Sequence, residues 1–251
     1  GFDVVLDGHS HSVIPNLTVA DKGGNQVVLT STGTKFEYVG KLTITEKGEF
    51  STELIPLADY DKTDASIDAY LKKINEEYSV LGDRKIAYSQ VDLITHDKEG
   101  NRLVRTAETN LGNLCADAFR LETGADIGYI NGGGIRAPID KGDITYNEIF
   151  NVYPYGNTVC VAEVTGKALR DLLEMTTMNY PLEDGSFPHL SGMTFSLNTA
   201  IPTSVVLDEN GNFVKVDGTY RVYNVKVFNR ETNQYESLEE NKIYTLASHN
   251  Y

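Results

Sequence analysis

Apolar and polar positions divide the chain into a strand-rich beginning, one long helix and a mixed remainder. Residues 3–6 (DVVL) are a short apolar run that predicts a buried strand. Residues 25–32 (NQVVLTST) predict another. Residues 38–57 (YVGKLTITEKGEFSTELIPL) alternate about Lys47-Gly48, as a hairpin does. The period then changes: Ile67, Tyr70, Leu71, Ile74 and Tyr78 recur at helical spacing, with Thr63 or Asp64 as the cap and Gly82 as the stop. A single amphipathic helix between two β-rich stretches predicts a connector between domains.

From residue 85 the elements mix. KIAYSQVDLI predicts a strand, and TNLGNLCADAFRLETG a helix with Leu111, Leu114, Cys115, Ala118 and Phe119 on one face and Gly124 as its stop. ADIGYI predicts a strand that runs into the turn NGGGIR. TYNEIFNVYP predicts a short helix, with Thr145 and Glu148 at capping-box spacing. NTVCVAEV predicts a strand, and TGKALRDLLEMTTM a helix capped by Thr165. GMTFSL, GNFVKV, YRVYNVKVF and IYTLASHNY complete a strand-rich end. Helices and strands alternate loosely and the end favours hairpins, so the expected class is α+β, not a doubly wound sheet.

Composition narrows the function. The 251 residues are 40% apolar and carry a net charge of −14. A surface this acidic repels a phosphate backbone, which excludes a nucleic-acid polymer as the expected partner but leaves room for a small anion gathered by local arginines. The longest apolar runs fall short of the 18 or so residues of a membrane span. Cys115 and Cys160 are too few for a disulfide framework and are expected to be buried free thiols. The redox compartment and the oligomeric state stay open.

Four stretches carry candidate chemistry. In GHSH, Gly8 permits a sharp exit from a strand, after which His9 and His11 are either polar loop residues or ligands to two neighbouring metal ions. In NGGGIR, Gly132, Gly133 and Gly134 either form a tight structural turn or let the backbone approach a ligand and aim N–H groups at it. Arg136 would then grip a phosphate or carboxylate, and Asn131 could read a polar ring edge. Arg105, close before a helix N-terminus, is either a surface cation near Glu108 or a second anion contact. In NVYPYGN, Tyr155 is either core or an aromatic ring held out from a Pro-Tyr-Gly corner. His96, His189 and His249 show no ligand spacing and are expected to be surface or loop residues.

Taken together, DVVLDGHSHS, ETNLGNLCADAFR, ADIGYINGGGIRAPIDKGDITYNEIFNVYPYGNTVCVAEVTGKAL and YTLASHNY resemble the 5′-nucleotidase family, the group that includes UDP-sugar hydrolases and 2′,3′-cyclic phosphodiesterases. The resemblance implies residues 1–62 as the end of an N-terminal metallophosphatase domain, 63–82 as a linker helix, and 83–251 as a C-terminal substrate-binding domain shortened at its end. It implies two divalent ions, Zn or Mn, in the intact enzyme, with His9 and His11 each ligating one. The other ligands, an Asp-x-His, a Gly-Asp-x-x-Asp and an Asn-His pair, are expected upstream of Gly1, so the site in this chain is incomplete. Past Tyr251 the family pattern continues into a Gly-Gly-Asp-Gly loop.

The same resemblance assigns Arg105 and Arg136 to the substrate's anion, Asn131 to the base, and Tyr155 and Tyr251 to an aromatic sandwich around it. The implied partner is a nucleotide or nucleoside, and the implied location is periplasmic, extracellular or at the cell surface. The expected activity is nucleotide phosphoester hydrolysis by the intact protein, with no catalytic residue in this chain and no turnover by it alone. A nucleoside-binding module without chemistry is the alternative, and the motifs do not separate 5′-nucleotides from cyclic nucleotides or UDP-sugars.

Overall fold

The computed structural model describes residues 2–9 and 11–251, and its contacts divide the chain into two compact units, one reaching Ile74 and the other running from Asn75 to Tyr251. In the first unit, β1 (Val4–Asp7), β2 (Val13–Ala20) and β3 (Gln26–Thr32) form a sheet in the order β1-β3-β2, with β1 parallel and β2 antiparallel to β3. β4 (Tyr38–Ile44) and β5 (Phe50–Pro56) form the expected hairpin, turning at Gly48 with φ 78°. β2 has no clear sequence pattern because Pro15 and Asn16 break its alternation; the strand absorbs them in an irregularity between Ile14 and Leu17. β1 was expected to be buried, yet Val5 and Leu6 are exposed, because β1 is an edge strand paired with β3 alone.

Helix α1 (Ala65–Gly82) starts at Asp64, whose Oδ1 accepts the N–H groups of Ser66 and Ile67 at 2.9 and 3.2 Å. Its apolar stripe stays largely uncovered, with Ile67, Tyr70, Leu71 and Tyr78 exposed. No helix among the described residues is long and apolar enough to cross a membrane.

The second unit opens with β6 (Lys85–Ser89), shorter than the sequence pattern suggests, and continues with α2 (Asn110–Thr123), β7 (Ile127–Asn131), β8 (Gly142–Thr145), α3 (Tyr146–Val152), β9 (Val159–Thr165) and α4 (Gly166–Thr176). Its later strands are β10 (Pro188–Ser191), β11 (Met193–Leu197), β12 (Val205–Leu207), β13 (Phe213–Val216), β14 (Val222–Asn229), β15 (Gln234–Ser237) and β16 (Ile243–His249). The centre is a four-stranded sheet in the order β10-β7-β16-β9, in which β7 and β16 run parallel and the outer two run antiparallel to them. This is the mixed α+β architecture that the sequence pattern predicts.

Strand alternation assigns the two faces of β7. Ile130 joins a core with Val104, Leu111, Cys115 and Ala116 on the α2 side. Ile127 joins a second core with Leu169 and Leu173 of α4 and Val222 of β14. The buried line of α2 is Leu111, Gly112, Cys115 and Ala116, while Leu114 and Ala118, expected to be buried, face solvent. Small residues decide this: a Cβ on Gly128 of β7 would stand 2.1 Å from the carbonyl oxygen of Ala116, so the helix touches the sheet there, backbone to backbone. Cys160 is exposed, contrary to expectation, because β9 is the edge strand.

Two local devices fix the loops. Glu174 of α4, fully buried, accepts the N–H groups of Arg221 and Val222 at 3.0 and 2.9 Å. The Arg221 guanidinium donates to the carbonyls of Thr177, Met178 and Tyr180, so the loop from α4 to β10 leaves in a set direction. Three surface turns, Asp21 to Asn25, Asp97 to Asn101 and Asp208 to Asn212, share one construction. In each, the Asp carboxylate accepts the backbone and side-chain N–H groups of the Asn four residues on, around a glycine with φ of 82–87°. Those hydrogen bonds, the Asn side chain first, hold all three carboxyls below the usual carboxylate range.

Gly128→Ala should cost roughly 2 kcal/mol or more, because the Ala116 carbonyl that the new Cβ meets belongs to the backbone and cannot swing aside. In a thermal melt that appears as a fall in Tm of about 4–8 °C for a domain of this size. An unchanged Tm would mean that α2 does not sit on β7 as described.

Candidate functional site

The parallel pair β7 and β16 end on the same side of the sheet, where β9 and β10 begin. Carboxyl ends of neighbouring parallel strands are a usual place for ligand sites, since the chain must leave there in loops. Here β7 delivers Asn131 and the glycine turn, β16 delivers His249 and Tyr251, the segment before β9 delivers Tyr155 and Asn157, and the segment before β10 delivers Asp184 and Gly185.

The turn Gly132–Gly134 is a single 3₁₀ turn without positive φ, so its glycines are there for space and not for handedness. A Cβ on Gly132 would lie 1.7 Å from the carbonyl oxygen of Val104, and one on Gly133 would lie 2.9 Å from that of Gly185. The N–H groups of Gly132 and Gly133 donate to the carbonyls of Phe187 and Gly185 at 2.8 Å each. These two donors are therefore taken within the chain, and the expectation that they aim at a ligand gives way to a role in close packing.

That packing brings the 3₁₀ turn Leu103–Arg105 against the glycine turn. Arg105 is half-buried, and its pKa is lowered by burial first and then by the positive charges of Arg102 and Arg136, against Glu183 and Asp184. Arg136 donates from Nη1 to the carbonyl of Gly133 at 3.0 Å, and its guanidinium stands 5.7 Å from the Tyr155 ring centroid. Neither arginine has an ion pair among the described residues, whereas Arg102 approaches Glu183 at 3.7 Å. Two guanidinium groups that repel each other across a rigid turn are an arrangement that a bound anion would stabilise. Burial pushes the Asp184 carboxyl up, but the side chain and N–H of Ser186, the Asn179 amide and Arg105 outweigh it and hold it below its usual range.

Tyr155 is exposed, and Tyr251 is 90% exposed, with its ring stacked parallel on His249 at 6.2 Å. Asn131 donates from Nδ2 to the Gly185 carbonyl at 2.9 Å, and its Oδ1 meets Nε2 of His249 at 2.7 Å. The far nitrogen of His249 lies 3.3 Å from Nδ2 of Asn157. The second unit thus brings Arg105, Asn131, the three glycines, Arg136, Tyr155 and Tyr251 to one end of one sheet.

Two histidines were expected on the surface and are not. His189 is 1% exposed, in β10, and its Nε2 donates to the Val104 carbonyl at 2.9 Å; the ring rests on Gly112 of α2. His249 is 8% exposed, with Phe119 of α2 against it. Of the three, His96 alone is exposed, as expected. A signal existed: His249 lies two residues after Ala247 in a strand pattern, hence on the same, buried face. His189 was hidden because PHLS is too short to read as a strand.

His9 and His11 belong to the first unit and are both exposed. His11 has a left-handed backbone (φ 58°), so the strand ends before it and the two imidazoles need not share a face. Imidazole suits Zn, whereas Mn prefers oxygen ligands; two ligands do not close a site for either, and the described residues hold no group of three His, Cys, Asp or Glu able to do so. A cavity of about 340 Å³, lined by Asp126, Arg230, Glu236 and Lys242 among others, opens at the other end of β7, away from the expected residues.

The family profile described as 5′-nucleotidase, C-terminal domain, matches residues 85–251. The trifunctional nucleotide phosphoesterase YfkN of Bacillus subtilis is 34% identical over 243 residues, which cover 88% of this chain and 16% of that protein. A 5′-nucleotidase of Vibrio cholerae is 31% identical over 169 residues, 67% of this chain and 29% of that one. Among solved structures, a 5′-nucleotidase precursor from Thermus thermophilus superposes with a TM-score of 0.72 at 26% identity, over 99% of this chain and 49% of its own. The chain therefore spans half or less of the length of these relatives. With two thirds of its residues inside the family profile, and with a sheet end that gathers the motif residues, the chain belongs to the 5′-nucleotidase family and carries its C-terminal domain.

Proposed function

We propose that this chain grips a nucleotide by its base and its phosphate, and that in the enzyme to which it contributes it presents the phosphoester for metal-assisted hydrolysis. One observation carries the reading: side chains from four separate segments, two cationic and two aromatic, converge where β7 and β16 end. In this reading Arg105 and Arg136 hold the anion. Neither forms an ion pair among the described residues, and the glycine turn keeps them close, so a bound anion would offset their mutual repulsion. Tyr155 and Tyr251 stack on the base, and Asn131 stiffens the turn between them.

His9 and His11 would contribute to a dinuclear centre whose other ligands come from outside the described residues. Bound there, two ions would polarise the phosphate and supply a hydroxide-like nucleophile. This chain's own part is to bind and orient. A binding module with no chemistry in any context is the competing reading, and it predicts the same affinity without turnover in the longer protein.

Calorimetry tests the grip. Adenosine and AMP should both bind, and Tyr155→Ala should weaken adenosine about tenfold, the loss of one stacking contact. Arg136→Met should cost AMP about tenfold more than adenosine, because only AMP carries the anion. Equal losses for the two ligands would remove the arginine from the phosphate.

The chain by itself, with Zn or Mn added, should release no phosphate from AMP above the buffer rate. A colorimetric phosphate assay reads this directly, and turnover that survives further purification would overturn the division of labour.

A further inference from the structure

His249 links Asn131, Asn157, Phe119 and Tyr251 at this sheet end, and nothing in the proposed function uses it. One ring nitrogen meets Asn131, the other meets Asn157, one face of the ring carries Tyr251, and Phe119 packs edge-on at 6.4 Å.

The proton positions in this chain of contacts follow from one unambiguous atom. The carbonyl oxygen of Gly185 can only accept, so the Asn131 atom 2.9 Å from it is the amide nitrogen. The Asn131 oxygen therefore faces His249, and Nε2 of His249, at 2.7 Å, must carry a hydrogen. In a neutral ring this leaves a lone pair on Nδ1, which accepts from Nδ2 of Asn157 at 3.3 Å. Asn157 is exposed, and its carbonyl oxygen has no other partner among the described residues. Its orientation is thus dictated from Gly185 through two side chains.

We propose that His249 is a positioning residue: as the neutral Nε2–H tautomer it locks the Asn131 and Asn157 amides and backs Tyr251, and so sets the polar edge that Asn157 offers beside the aromatic pair. Protonation reverses that edge. Nδ1 becomes a donor, faces the Asn157 donor, and the amide must turn its oxygen inward and its NH₂ outward. A nucleobase edge matched to one orientation is mismatched to the other.

The surroundings favour the neutral ring. Phe119 of α2, Asn131 and Gly134 of the glycine turn, Asn157 and the Tyr251 phenol face it, and none carries charge at neutral pH. The charged group on the same turn is Arg136, which opposes a second positive charge. Burial lowers the pKa of His249 from its ordinary value. The sign follows: the locked state is complete above that lowered pKa and is lost as pH falls through it. His189 shifts in the same direction, also by burial, so a variant at 249 is needed to separate the two.

The inference rests on the nucleoside-binding reading, and two measurements separate their failures. The first needs no ligand. NMR of the labelled chain should show the Nε2–H tautomer at His249, and the Asn157 side-chain amide should shift with the same midpoint as His249 when the pH is lowered. An Nδ1–H tautomer, or an Asn157 amide that ignores the titration, overturns the proposal.

The second is calorimetry with adenosine at pH near 7.5 and at a pH below the His249 midpoint that the NMR titration gives. His249→Phe keeps a stacking ring but loses both hydrogen bonds, and should bind about tenfold more weakly at the higher pH. His249→Gln can donate and accept, and should recover most of that loss while removing the extra fall in affinity that the unaltered protein shows on acidification. Binding by the Phe variant equal to that of the unaltered protein, or the same acid loss in the Gln variant, overturns the proposal. An unaltered chain that takes up no adenosine at either pH sinks the functional reading and the proposal's ligand half, while the NMR result still decides the tautomer lock.

Discussion

Everything at the sheet end depends on how closely three stretches of backbone approach one another. The α-carbon of Gly132 lies against the carbonyl of Val104, and Gly133 lies against Gly185. Any side chain at Gly132 would push the turn that carries Arg105 away from the turn that carries Arg136 and alter the spacing of the two guanidinium groups. The loop after α4 is held by the same contacts and by Arg221, which ties it back to the helix it leaves. The site is assembled by backbone contact first, and its side chains inherit their positions.

The molecule also has to reconcile two scales of charge. Its net charge of −14 repels an anionic ligand at long range, and in physiological salt that repulsion fades beyond roughly 8 Å. At short range the arginines dominate, because Asp184 spends its lone pairs on Ser186 and Asn179 and forms no ion pair with Arg105 within 4.0 Å. In the proposed reading, anion capture would therefore depend on the two turns that carry Arg105 and Arg136 and not on the net charge of the surface.

Much of the fold could be read from the chain because local rules and tertiary packing agree. The caps at Thr145 and Thr165, the stop at Gly124 and the hairpin at Gly48 are chemistry of a few residues and fall where the pattern puts them. Failures came where tertiary contact overrode local pattern. Leu114 looks like core but points outward, because glycine and alanine on the neighbouring line let α2 come closer. Of the candidate site, the glycines and Arg136 stood out by residue type and setting, whereas Arg105, Tyr155 and Tyr251 were assigned by the family resemblance. The histidines did not, because a lone His in a short strand has no spacing to betray it; their importance comes from which backbone and amide groups the fold sets beside their nitrogens.

One of the three Asp-to-Asn turns stands at the root of the Arg105 arm, between Thr95 and Leu103, while the other two merely close hairpins. A part whose bonds are all internal is indifferent to where it is installed. The turn is consequently held by its own five residues, whereas Arg105 answers to the interior, through the hydrogen bond from His189 to the Val104 carbonyl and that from the Asp184 N–H to the Arg105 carbonyl. Changes at those two contacts would shift Arg105 while leaving the turn as it is.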